Sequence, residues 1–66
     1  MILKVDKKND SLYLRLDDSR IIESAEATPG VILDYNDNNE VVGVEILHLS
    51  KRSSRINLDS LLYEAV

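Results

Sequence analysis

The 66-residue sequence contains no cysteine, no tryptophan and no phenylalanine, and it has a single proline, two glycines and a single histidine. Without cysteine there is neither a disulfide framework nor a thiolate metal site to reinforce a small core. A lone histidine leaves zinc only carboxylates as further ligands, a poor set for that ion. The two glycines stand thirteen positions apart, at Gly30 and Gly43, and neither opens a helical segment, so the sequence offers no glycine-rich phosphate cradle. No apolar run approaches the roughly 20 residues that span a bilayer. Basic residues are the minority charge: eight Lys and Arg stand against twelve Asp and Glu, for a net charge of −4. That balance opposes attraction to nucleic acids and anionic membranes and favours basic partners. The start, Met1-Ile2-Leu3-Lys4-Val5-Asp6, reaches an acid too early for a secretory h-region. With no export signal and no cysteine, the expected location is the cytoplasm.

What is present is a β pattern. Leu3 and Val5 alternate with polar residues, and after Lys7-Lys8-Asn9-Asp10 the alternation restarts with Leu12, Leu14 and Leu16 on one face and Tyr13 and Arg15 on the other. These two segments form an opening hairpin. Ile21 to Ala27 reads as a weaker strand interrupted by Glu23 and Glu26, which suits a sheet edge. The Pro29-Gly30 corner launches a strand over Val31–Tyr35, Asp37-Asn38-Asn39-Glu40 turns the chain, and a return strand runs from Val41 to His48. Because that last strand carries apolar residues on both sides, it is expected to be central and covered on both faces.

After Ser50-Lys51-Arg52-Ser53-Ser54-Arg55, the residues Leu58, Leu61, Leu62 and Ala65 recur at helical spacing, with Asn57 as N-cap. The spacing predicts a helix over 57–65, too short to be stable alone and therefore expected to dock on the sheet, on a second copy or on a partner. The expected architecture is a single α+β domain over 1–66: a meander of four to five antiparallel strands with one short C-terminal helix. A chain this small buries about 60% of the surface its unfolded form exposes, which leaves self-association or a partner protein as the way to bury more apolar area.

Three constellations invite a chemical reading. Asp34, Asn36, Asn38 and Glu45 fall at calcium-loop spacing, but Asn39 stands where that loop needs glycine and the flanks are strands. A plain hairpin turn accounts for the same residues. His48 with its neighbours Glu45 and Ser50 and with Asp34 makes a triad on paper, against the plainer reading of a half-exposed histidine at a strand end. The test for Asp34, Glu45 and His48 is convergence in one cleft. Lys51, Arg52 and Arg55 form either a phosphate-contacting patch or, the reading favoured here, a solvated linker. Tyr13 beside Arg15 has the composition of an interface anchor.

The blocks Asp10-Ser11-Leu12-Tyr13-Leu14-Arg15-Leu16, Thr28-Pro29-Gly30-Val31-Ile32-Leu33-Asp34-Tyr35 and Val41-Val42-Gly43-Val44-Glu45-Ile46-Leu47 resemble the domain of unknown function 2283 family of short bacterial and archaeal proteins. The resemblance covers about residues 4–50. It implies a stand-alone β-rich domain without assigned activity, and an antitoxin-like role, since some members are encoded beside small toxins of the ribonuclease type. The sequence shows no recognisable DNA-binding arm to accompany such a role.

The expected function is therefore that of a non-catalytic protein-binding module without cofactor or metal. Its interface candidates are Tyr13, Arg15, Leu58, Leu61, Leu62 and Ala65, and its expected partners are itself, as a homo-oligomer, and a small basic protein. The alternatives are a ligand-binding or minor catalytic domain using Asp34, Glu45 and His48, or a self-assembling structural module.

Overall fold

The computed structural model describes all residues, 1–66. Five antiparallel strands, β1 (Ile2–Asp6), β2 (Ser11–Arg15), β3 (Glu23–Thr28), β4 (Val31–Tyr35) and β5 (Val41–Ile46), are followed by one short helix, α1 (Leu49–Arg52). They form a single sheet in the order β1-β2-β5-β4-β3. The two-sided return strand is central, as its pattern predicts, and the acid-bearing β3 lies at one edge. The connectivity differs from a simple meander. Strands β3, β4 and β5 follow one another through hairpins, but β2 pairs with β5, which makes the last four strands a Greek key. The β2–β3 connection therefore crosses the ends of β5 and β4, where the Leu16 amide donates to the Val42 carbonyl at 2.8 Å and the Ile22 amide to the Tyr35 carbonyl at 2.9 Å.

Each turn has an identifiable chemical cause. In the β1–β2 turn the Asp6 carboxylate accepts from the Asn9 amide at 3.0 Å and from its side chain at 2.8 Å, and Asp10 then takes a left-handed φ of 54°. In the β4–β5 turn the buried Asn36 accepts with Oδ1 from the amides of Asn38 and Glu40 at 3.0 and 2.9 Å, while Asn39 takes the left-handed conformation at φ 60°. A short polar side chain that tolerates left-handed backbone and satisfies its neighbours' amides is what such turns require. Between these hairpins, Gly30 turns the corner at φ 77°. A bulge sits where β4 meets the start of β5: Asp34 faces Gly43 and Tyr35 faces Val41, so that Val42 is the extra residue. Val42 is also the most deeply buried side chain, 1% exposed.

The C-terminal helix expected over 57–65 does not form. Asn57 does act as a cap, its side chain accepting from the Asp59 amide at 2.9 Å and its carbonyl from the Ser60 amide at 3.2 Å, but the turn does not propagate. Nucleating a helix costs more than two turns recover unless an apolar face docks, and Leu61 and Leu62 remain 65% and 79% exposed.

The observed helix lies earlier, at Leu49–Arg52, and its stabilising contacts come from distant residues. His48 precedes it in a left-handed conformation with no capping side chain of its own. Asp10, forty residues away in sequence, takes that role: its carbonyl accepts from the Leu49 amide at 3.0 Å, and its carboxylate from the Ser50 amide at 3.1 Å and hydroxyl at 2.7 Å. At the other end of the helix the Arg52 guanidinium donates to the Leu47 carbonyl at 2.8 Å and the Pro29 carbonyl at 2.7 Å, lying over Gly30. Arg52 thus fastens the helix to the Pro-Gly corner. Neither the helix nor the tail provides the two-sided cover that the apolar pattern of β5 led us to expect.

Candidate binding surface

Strand register assigns every sheet side chain to a face, because directly paired residues project to the same side. One cross-strand row reads Leu3, Leu14, Val44, Leu33 and Ala25 from β1 to β3. The neighbouring row on that face reads Val5, Leu12, Ile46, Val31 and Thr28. Nine of these ten positions are apolar and none is charged, yet none of the ten is buried. The only buried apolar side chains, Val42 and Leu49, lie outside both rows. A sheet face of this composition normally packs against a second layer.

The opposite face is polar. Its rows are Lys4, Tyr13, Glu45, Ile32 and Glu26, and then Ile2, Arg15, Gly43, Asp34 and Ser24. At its centre the Tyr13 hydroxyl donates to Asp34 Oδ2 at 2.7 Å, directly above Gly43, and the Ser24 hydroxyl donates to Asp34 Oδ1 at 2.6 Å. A Cβ at position 43 would stand 2.5 Å from the Tyr13 hydroxyl and 2.7 Å from Asp34 Oδ2, so the glycine leaves the space in which the two side chains meet across β5. Burial, together with the hydrogen bond to Asp34, pushes the Tyr13 phenol above its usual 10.0.

Arg15 shares this face with Tyr13, as the alternation predicts. Its Nε donates to the Asp17 carbonyl at 2.5 Å and an Nη to the Ser19 carbonyl, which ties the guanidinium to the β2–β3 connection. A shallow groove of about 340 Å³ lies beside it, lined by Met1, Ile2, Arg15, Leu16, Asp17 and Asp18. Hydrogen bonds from the amide and side chain of Ser19 hold the Asp17 carboxyl below its ordinary value.

The paper triad is dispersed. Asp34 and Glu45 share the polar face as diagonal neighbours, roughly 7 to 8 Å apart at the backbone. His48 lies beyond the end of β5, exposed and in a left-handed conformation. Asp34 faces Gly43, five residues before His48 along the chain. None of the three lines the groove. The calcium-like spacing resolves into separate tasks: Asp34 receives Tyr13 and Ser24, while Asn36 and the amide of Asn38 close the turn. No group of three or more His, Asp or Glu is arranged to hold a metal ion.

Of the tail residues singled out by their spacing, Leu58 is half-buried and Leu61, Leu62 and Ala65 are exposed, as are Tyr63 and Val66. The tail touches the rest of the molecule through an ion pair between Lys7 and Asp59, at 2.5 Å and largely solvent-exposed. Sequence reasoning missed the structural roles of Asp10 and of Arg52, read as part of a basic linker, because their partners lie in distant segments. It also missed the continuity of the two apolar rows, which depends on β2 pairing with β5.

Residues 3–50 match a family model described as protein of unknown function (DUF2283). No curated protein and no solved structure matches the chain. No helix is long and apolar enough to cross a membrane.

Proposed function

The chain belongs to the DUF2283 family, and for this member we propose the role of a non-catalytic protein-binding module whose C-terminal tail folds onto a small basic partner. The observation that carries this reading is the state of the tail: Leu61, Leu62 and Tyr63 are 65%, 79% and 82% exposed and Val66 is fully exposed, in a segment whose apolar spacing is helical but which forms no helix by itself. A segment of this kind gains its helix when a groove receives Leu58, Leu61, Leu62 and Ala65 on one side. The net charge of −4 selects the sign of the partner, since complementary charge speeds encounter and suppresses wrong pairings. A ribonuclease-type toxin is the basic partner implied by the family resemblance, and the antitoxin is the corresponding role for this chain. Asp34 is already engaged by Tyr13 and Ser24, and His48 is remote from it, which gives the catalytic alternative little support.

The test is co-expression with the product of the neighbouring gene. The expected result is a stable complex, rescued growth, and loss of both in a Leu61→Asp, Leu62→Asp variant. Purification of the two proteins without association would overturn the reading.

A further inference from the structure

We infer that the apolar sheet face is the interface of a homodimer, in which two copies stack their sheets into a two-layer sandwich. The inference deepens the reading of the chain as a binding module, and its test uses the chain alone, so that it stands or falls separately from partner capture.

Three observations select a second copy. The first is area. The chain exposes 5310 Å², whereas a compact monomer of 7.5 kDa exposes about 4,250 Å², an excess of about 1,050 Å² per chain. A stable interface takes about 800 Å² from each partner. The tail contributes to the excess through Leu61, Leu62 and Tyr63; on the sheet face Leu3 and Val5 are 38% exposed and the six central positions stay half-buried, in a face that extends across all five strands. The second is charge. The two rows that run from Leu3 to Ala25 and from Val5 to Thr28 contain no ionisable side chain, and the one carboxylate the register places on that face, Glu23, lies in the next row at the β3 edge, so the two central rows can meet their own copies without bringing like charges together. The third is shape. A two-fold interface must be self-complementary, and aligned sheets with aliphatic inner faces pack face to face at about 10 Å separation. Neither exposed edge competes well for a second copy: β3 carries Glu23 and Glu26 and a bulge between Glu26 and Thr28, and β1 carries Lys4 and Asp6.

Light scattering on the full chain at micromolar concentration is expected to give about 15 kDa, twice the 7.5 kDa chain mass. Leu14→Asp is expected to halve that mass while far-UV dichroism keeps its strand signal, and Ile32→Asp, on the polar face, is expected to leave the dimer intact. If Leu14→Asp unfolds, Leu3→Asp, at an edge-strand position already 38% exposed, repeats the test under milder conditions. Isotope-filtered contacts between labelled and unlabelled wild-type chains supply a readout that needs no variant: methyl contacts from Leu33 and Val44 across the interface are expected. A wild-type mass of 7.5 kDa, a folded Leu14→Asp or Leu3→Asp chain that remains dimeric, or a dimer without those methyl contacts would overturn the inference.

Discussion

Replacing Gly43 by alanine tests how the polar face is built. Ordinarily Gly→Ala in a strand relieves an entropic cost of about 0.5 to 1 kcal/mol. Here the new Cβ would stand 2.5 Å from the Tyr13 hydroxyl and 2.7 Å from Asp34 Oδ2, closer than real Cβ contacts come, so the two must part. Their 2.7 Å hydrogen bond is then lost, leaving Asp34 with Ser24 alone. A hydrogen bond to a charged group contributes about 1.5 to 3 kcal/mol, and the half-exposed setting places this one at the low end. The backbone gain offsets part of that loss, for a net destabilisation of about 1 kcal/mol. With a urea slope of about 1 kcal/mol/M for a chain of this size, the midpoint falls by about 1 M. The measurement is urea unfolding at one fixed chain concentration, repeated in a Tyr13→Phe background that lacks the obstructing hydroxyl. In that background most of the cost should vanish, giving a coupling of about 1 kcal/mol, within the usual range for residues in contact. Equal cost in both backgrounds, or a stabilising Gly43→Ala in the wild type, would refute the assignment of Gly43 as the space for this pair.

Four further predictions follow from other contacts. Asp10→Gly preserves the left-handed backbone at φ 54° while removing the carboxylate from Ser50; it should cost about 1 kcal/mol and increase amide exchange at Ser50. Gly30→Ala should lower stability by at least about 1 kcal/mol in thermal unfolding, because φ 77° strains any L-residue and the Arg52 guanidinium occupies the space of the new Cβ. Deleting residues 56–66 should change the stability of the sheet by no more than about 0.5 kcal/mol and should remove no helical dichroism, since the tail is largely exposed and its ion pair lies in solvent. Stability should decline as pH rises above about 10 in the wild type and decline less in Tyr13→Phe. The folded state holds the Tyr13 phenol above its unfolded value, so the contribution of the neutral form is complete below that value and is lost as pH climbs through the raised one. The carboxyls of Asp6 and Asp17, both held below their ordinary 3.8 by hydrogen bonds, act in the opposite direction: their contribution is present above 3.8 and is lost as pH falls through the lowered values.

Much of this fold was legible in the residues because strands and turns report locally. Leu12 and Leu14 alternate with Tyr13 and Arg15 since successive side chains point to opposite faces, and that alternation assigned their faces correctly. Pro29-Gly30 and the Asn-rich stretch from Asn36 announced their turns through backbone chemistry that needs no distant partner. The helix was misplaced for the converse reason. Leu58, Leu61, Leu62 and Ala65 have helical spacing, but spacing supplies only the face to be docked. At Leu49–Arg52 the spacing is uninformative, and the helix is held by Asp10 at one end and by the bonds of Arg52 to Pro29 and Leu47 at the other. Arg52, read as part of a basic linker, is a structural clamp.

By itself the sequence determined the five strand segments and where they turn, the central place of the return strand that starts at Val41 and the edge character of the segment bearing Glu23 and Glu26, because each follows from local stereochemistry and period-two patterning. The strand ends differ from that reading, β5 stopping at Ile46 and not His48, and β3 running over Glu23–Thr28 and not Ile21–Ala27. Only the tertiary structure decided that β2 lies against β5, and with it that Leu3, Leu14, Val44 and Leu33 join into one uncharged row while Tyr13 meets Asp34 over Gly43. The physical reason is that pairing order joins segments some thirty residues apart. Closing a longer loop costs only slightly more than closing a short one, so local sequence leaves the order open and the packing of whole faces settles it.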